Sequence, residues 1–130
     1  MMVQYHEVRR GDVWLAGLGE ASGSEQGGVR PVVVIQNDTG NRYSPTTIVA
    51  AVTGRIKKDL PTHAVLVKGS RLLRLDSTIL LEQIQTIDRS RLMKYLGRLE
   101  GFEMRQADEA LTVSVGLKNS TEVINHGDTE

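Results

Sequence analysis

The side chains of this sequence able to act on a substrate are few and scattered, and their spacing removes most reaction classes. The three histidines, His6, His63 and His126, stand far apart with no Asp or Glu cluster beside them, which argues against a zinc centre or a two-metal nuclease. With no cysteine there is no thiolate ligand, cysteine nucleophile or disulfide. The segment Gly23-Ser24-Glu25-Gln26-Gly27-Gly28 lacks the trailing Lys-Ser/Thr of a phosphate-binding P-loop and opens a strand rather than a helix, which disfavours nucleotide hydrolysis. No serine sits in a nucleophile elbow. What stands out is Arg30-Pro31 ahead of Val32-Val33-Val34-Ile35, a guanidinium at the mouth of a buried strand whose entry the proline stiffens. Such an arginine is either a snorkelling edge residue or an anion clamp. Thr53 ends an apolar run at Gly54, where a threonine either satisfies the backbone or takes part in a reaction.

The elements that must hold these residues fit one soluble domain. The chain has 130 residues, 39% hydrophobic and 25% charged, enough for a real core without a disulfide or structural metal. Its apolar runs are far shorter than the ~20 residues of a membrane span, and the start has no apolar signal core, so a cytoplasmic protein is expected. Overall charge is balanced, 16 Lys and Arg against 16 Asp and Glu. The balance is uneven along the chain. Residues 55–74 carry Arg55, Lys57, Lys58, Lys68, Arg71 and Arg74 against Asp59 alone, either a solvated face or a track for phosphates.

Periodicity predicts strands over residues 12–18, 32–36, 46–53, 63–67 and 77–87, the second and third being β-branched runs buried on both faces. Six of the 13 glycines fall between Gly11 and Gly28, making residues 19–28 a loop with wide conformational freedom. Residues 37–41, Asn-Asp-Thr-Gly-Asn, read as a turn. Asp88 as N-cap, Leu92, Leu96 and Leu99 at helical spacing and Gly97 as terminator predict a short helix. Met104, Ala107, Leu111 and Val115 predict a second one lying on the sheet. The expected class is α+β, mainly β: a small barrel with C-terminal helical cover, followed by a polar, frayed tail over residues 118–130.

Six blocks in order along the chain carry a family resemblance. They are Arg10-Gly11-Asp12-Val13-Trp14, residues 23–31, Val34-Ile35-Gln36-Asn37-Asp38, residues 44–53, Leu60-Pro61-Thr62-His63 and Leu80-Leu81-Glu82-Gln83-Ile84-Gln85-Thr86-Ile87-Asp88. Together they closely resemble the MazF/PemK toxins, especially the Gram-positive-type branch, over residues 10–117. The resemblance implies an SH3-like barrel of the CcdB/MazF/PemK type and a homodimer. It further implies the toxin of a type II toxin–antitoxin system that cuts single-stranded RNA, mRNA or rRNA, at specific sequences without metal or other cofactor.

The resemblance places the family's catalytic arginine at Arg30 and its catalytic threonine at Thr53. Metal-free cleavage proceeds by 2′-OH attack, giving a 2′,3′-cyclic phosphate and a 5′-OH end. Arg30 then serves as electrostatic clamp on the phosphorane and Thr53 as a further donor, since a guanidinium is a poor base at neutral pH. The general base is left open between His63 and Glu25. RNA contacts are expected from Ser24, Glu25 and Gln26 of the glycine-rich loop, from Asn37, Thr62 and Gln83, and from the basic Arg55 and Lys57. Implied partners are a MazE-like antitoxin, whose acidic segment would cover Arg30 and the basic stretch, and operator DNA only through the antitoxin complex. Gln85 departs from the arginine common in this branch, so the cut sequence does not carry over. Two rivals remain: a CcdB-like gyrase-binding toxin without nuclease activity, disfavoured because no aromatic residue follows Phe102, and a degenerate toxin acting only with its antitoxin.

Overall fold

The structure is a computed structural model describing residues 7–23, 25–54, 60–66 and 77–119. Ser24, the basic residues Arg55, Lys57, Lys58, Lys68, Arg71 and Arg74, and the tail from residue 120 onward lie outside the described residues.

β1 (Asp12–Gly17) and β2 (Val29–Val34) form an antiparallel hairpin across the glycine-rich loop. The loop's arms are tied by Leu18 N–H to the Gly28 carbonyl at 2.9 Å and Gly28 N–H to the Gly19 carbonyl at 2.7 Å. Gly19 and Gly28 both take positive φ, 81° and 72°, which a side chain would oppose. β3 (Thr46–Thr53) pairs with β2 and with the long β5 (Ser77–Asp88), against which β4 (His63–Leu66) forms one edge. β6 (Leu92–Arg98) pairs with β1 at the other edge, giving the order β4-β5-β3-β2-β1-β6. Among the described residues no ladder joins β4 to β6, so the six-stranded sheet of the expected small barrel is not closed by hydrogen bonds. The mainly β class with a C-terminal helical cover stands.

Strand alternation sorts the core onto two faces. Val13, Val33, Ile35, Ala50 and Val52 pack on one face with Leu66, Ile79 and Leu81, beneath α2 (Gly101–Ser114), which contributes Ala107 and Ala110. Trp14, Ala16, Val32, Val34, Val49 and Ala51 pack on the other with Ile87. The β-branched runs of β2 and β3 are therefore buried on both sides, as their sequence requires. No helix is long and apolar enough to cross a membrane among the described residues.

Three expectations change. Asp88 does cap a helical turn, its carboxylate accepting from Ser90 N–H at 2.9 Å, but this is a single 3₁₀ turn, Arg89–Arg91. Leu92, Leu96 and Gly97 belong to β6, not a helix. The β1–β6 register shifts twice, between Val13 and Trp14 and between Leu15 and Ala16. Those irregularities put Leu92 and Tyr95 on one face and Leu96 and Leu99 on the other, so the strand loses its period of two and imitates helical spacing. The turn at residues 37–41 opens a six-residue helix, α1 (Asp38–Tyr43), because the Asn37 side chain accepts from Gly40 N–H at 2.7 Å as an N-cap. In α2 the apolar stripe includes Met104, Ala107 and Leu111, whereas Val115 is the C-cap and 49% exposed.

Candidate functional site

Arg30 enters β2 two residues after the glycine loop, paired with Ala16 and followed by Pro31, which needs no ladder donor. Its Nε–H donates to the Gly27 carbonyl at 3.0 Å, and a terminal nitrogen donates to the Val52 carbonyl at 3.4 Å. Among the described residues it has no carboxylate partner, and main-chain carbonyls hold its guanidinium. A snorkelling edge residue would reach away into solvent. This one lies across the end of β3.

The register explains what it meets there. The β2–β3 ladder ends at the pair Val32 and Ala51; Arg30 lies two residues before Val32 and Thr53 two after Ala51, so strand alternation sets both on the face that carries Val32 and Ala51. Thr53 pairs with Thr78 on β5, and Thr78 with Val65 on β4. Paired residues share a sheet face, so Thr53 and Thr78 stand side by side on the face that also carries Arg30. Thr53 is half-buried, whereas Thr78 is fully buried and its hydroxyl has no hydrogen-bond partner among the described residues.

A second group forms where β5 is interrupted. Ala50 pairs with Ile84 but Ala51 pairs with Leu80, leaving Leu81, Glu82 and Gln83 without partners on β3. The interruption turns their side chains to new neighbours. The Gln83 carbonyl oxygen Oε1 accepts from Gln26 N–H at 3.2 Å, tying the glycine loop to β5. Glu82 Oε1 accepts from Thr62 Oγ1 at 2.9 Å, and its Oε2 lies 3.1 Å from His63 Nε2. The His63 side chain is only 10% exposed, and its Nδ1 is buried without a partner among the described residues.

The structure thus brings Arg30 to the end of β3 beside Thr53, and sets Gln26, Gln83, Thr62 and His63 along the adjoining rim. Glu25 stays within the loop, its carboxylate accepting from Ser22 N–H at 3.2 Å. Asn37 is not brought to this group: it follows the opposite end of β2 and its side chain is committed to capping α1. Sequence reading misses Thr78 and Glu82. The signal for Glu82 is a charged residue inside an otherwise apolar run; a buried threonine gives none. Gln85 is exposed on β5 opposite Val49. Among the described residues no three His, Asp or Glu side chains converge as metal ligands.

Solved structures that superpose on this chain include MazF toxins. A MazF from Deinococcus radiodurans superposes with a TM-score of 0.74 at 22% identity, over 86% of this chain and 99% of the other. An endoribonuclease in complex with its cognate antitoxin from a mycobacterial species gives 0.72 at 22% identity, over 85% and 97%. A MazE–MazF complex from Deinococcus radiodurans gives 0.70 at 21%, over 88% and 100%. Residues 9–115 match the model of the PemK-like, MazF-like toxins of type II toxin–antitoxin systems, and the chain belongs to that family.

Proposed function

We propose that this toxin is a metal-independent endoribonuclease acting on single-stranded RNA, with Arg30 and Thr53 at its reacting centre. The observation that carries this reading is the Arg30 guanidinium, without a carboxylate partner among the described residues, lying against the Val52 carbonyl one residue from Thr53. Family membership supports it, as does the mycobacterial structural neighbour being an endoribonuclease.

In the proposed reaction the ribose 2′-OH loses its proton and attacks phosphorus. The bond from phosphorus to the 5′-oxygen breaks, and that oxygen gains a proton, leaving 2′,3′-cyclic phosphate and 5′-OH ends. Charge builds on the non-bridging oxygens in between. Arg30 donates two hydrogen bonds to them, which requires it to exchange its hold on Val52 for the phosphate, and Thr53 donates another. Gln26, Gln83 and Thr62 line the rim where splayed bases present their edges. Arg55 and Lys57 are proposed to follow the RNA backbone. A homodimer is the expected assembly. The partner is an antitoxin of the MazE type, since structural neighbours occur in complex with such chains. Its acidic segment would lie over Arg30.

The test is incubation of long single-stranded RNA with purified protein in EDTA, alongside Arg30→Ala and Thr53→Ala, with fragment ends sequenced. Discrete cuts bearing 5′-OH ends are expected from the wild type, with none from Arg30→Ala, which should keep its oligomeric state. Folded wild-type protein that leaves the RNA intact, or an Arg30→Ala variant that cuts normally, refutes the reading.

A further inference from the structure

Thr78 is fully buried, lies directly across the ladder from Thr53, and has a hydroxyl with no hydrogen-bond partner among the described residues. Taking a hydroxyl out of water unpaired is unfavourable, and valine would fill the same space without that cost. On β5 the following residue Ile79 packs into the apolar core, and the pair on β4 is the apolar Val65. The one polar side chain paired with it in register is Thr53.

We propose that Thr78 is a positioning residue for Thr53, an inference that rests on the reading of Thr53 as a donor to the scissile phosphate. A threonine hydroxyl has a single proton. When Thr53 spends it on a phosphate oxygen, its oxygen becomes a stronger acceptor with lone pairs turned back toward the sheet. Cross-strand Cβ atoms stand about 4.5–5.5 Å apart, so rotation about χ1 lets the Thr78 hydroxyl donate to Thr53 Oγ1. The result is a one-way chain, from Thr78 O–H to Thr53 O–H to phosphate, in which each bond strengthens the next. In the free protein the Thr78 proton has no acceptor among the described residues; the chain forms when substrate fixes the direction of the Thr53 hydroxyl.

The test compares wild type, Thr78→Val and Thr78→Ser in steady-state cleavage of a short RNA in EDTA, with thermal melting of each. Expected is a roughly three- to tenfold fall in kcat for Thr78→Val with KM unchanged, the size of one lost neutral hydrogen bond in the transition state. Its melting temperature should be equal to the wild type or higher, because an unpaired hydroxyl has been removed. Thr78→Ser, which returns the hydroxyl, should recover most of the rate. A Thr78→Val enzyme with wild-type kcat overturns the inference alone. So does a rate loss accompanied by a lower melting temperature and not recovered by serine, which assigns Thr78 to packing. Absence of cleavage by the wild type instead overturns the assignment of Arg30 and Thr53, and this inference falls with it.

Discussion

Replacing Gly27 by alanine should open the loop between β1 and β2 without unfolding the sheet. A Cβ there would stand 2.6 Å from the Ala21 nitrogen, 2.8 Å from the Gly19 carbonyl oxygen and 2.9 Å from the Ala21 Cβ. Two of those atoms are main chain, so no rotamer change relieves the clash. The arms must part, which gives up the bonds from Gly28 N–H to Gly19 and from Leu18 N–H to Gly28. At about 1 kcal/mol net for each, the closed loop loses about 2 kcal/mol, or roughly a 30-fold rise in the open population. Native-state hydrogen exchange reads this directly. The amides of Leu18 and Gly28 should exchange about 30-fold faster, while that of core Val33 is unchanged. Because the Gly27 carbonyl also receives the Arg30 Nε–H, RNA cleavage should weaken in parallel. Unaltered protection at Leu18 and Gly28 would refute the close approach of the two arms.

Two further outcomes concern stability. Asp12, its side chain 3% exposed, accepts from Arg98 at 2.8 Å, and burial pushes its carboxyl above the ordinary range. A raised folded pKa means its contribution to stability is fully present below the unfolded value near 3.8 and falls as pH rises through the folded one. Arg98→Ala raises it further, so the variant should cost about 1–3 kcal/mol at pH 7 and much less below about pH 4. Urea denaturation at both values checks this, and an equal cost at each contradicts it. Asn41, 1% exposed, gives its amide to the Gln36 carbonyl at 2.9 Å and accepts from Thr47 Oγ1 at 2.7 Å and Gln36 Nε2 at 3.0 Å. Asn41→Leu keeps the branched shape but strands the buried Thr47 hydroxyl, and should cost about 3 kcal/mol by chemical denaturation, whereas a loss below about 1 kcal/mol would show that the polar cluster is dispensable.

What can be read in advance follows from which features write themselves into side-chain period. The runs forming β2 and β3 are legible because burial on both faces demands consecutive β-branched residues. β6 is not, because two register shifts displace its apolar residues into a spacing of four and three. α1 is invisible to periodicity since it has no apolar stripe; Asn37 announces a turn, and turn and N-cap use the same side-chain acceptor. The interruption in β5 is hidden because Leu81 keeps the run apolar. Arg30 and Thr53 are picked out as candidates by family resemblance and by their places at strand ends. Thr78 emerges only from register, which pairs it with a residue far back in the chain and leaves no local mark.

The interruption in β5 also divides the surface around Arg30 into parts with different freedom to vary. Arg30 is in register with Ala16 on β1, and Thr53 with Thr78 on β5, and moving any one by a residue would turn it to the opposite face. Gln83 and Glu82 sit where the ladder has lapsed, and Gln26 on a loop hung from its two glycine-rich arms. Changes there need not propagate into the strands. Substitutions on the rim can therefore reshape the surface beside Arg30 while the strands that carry Arg30 and Thr53 keep their places.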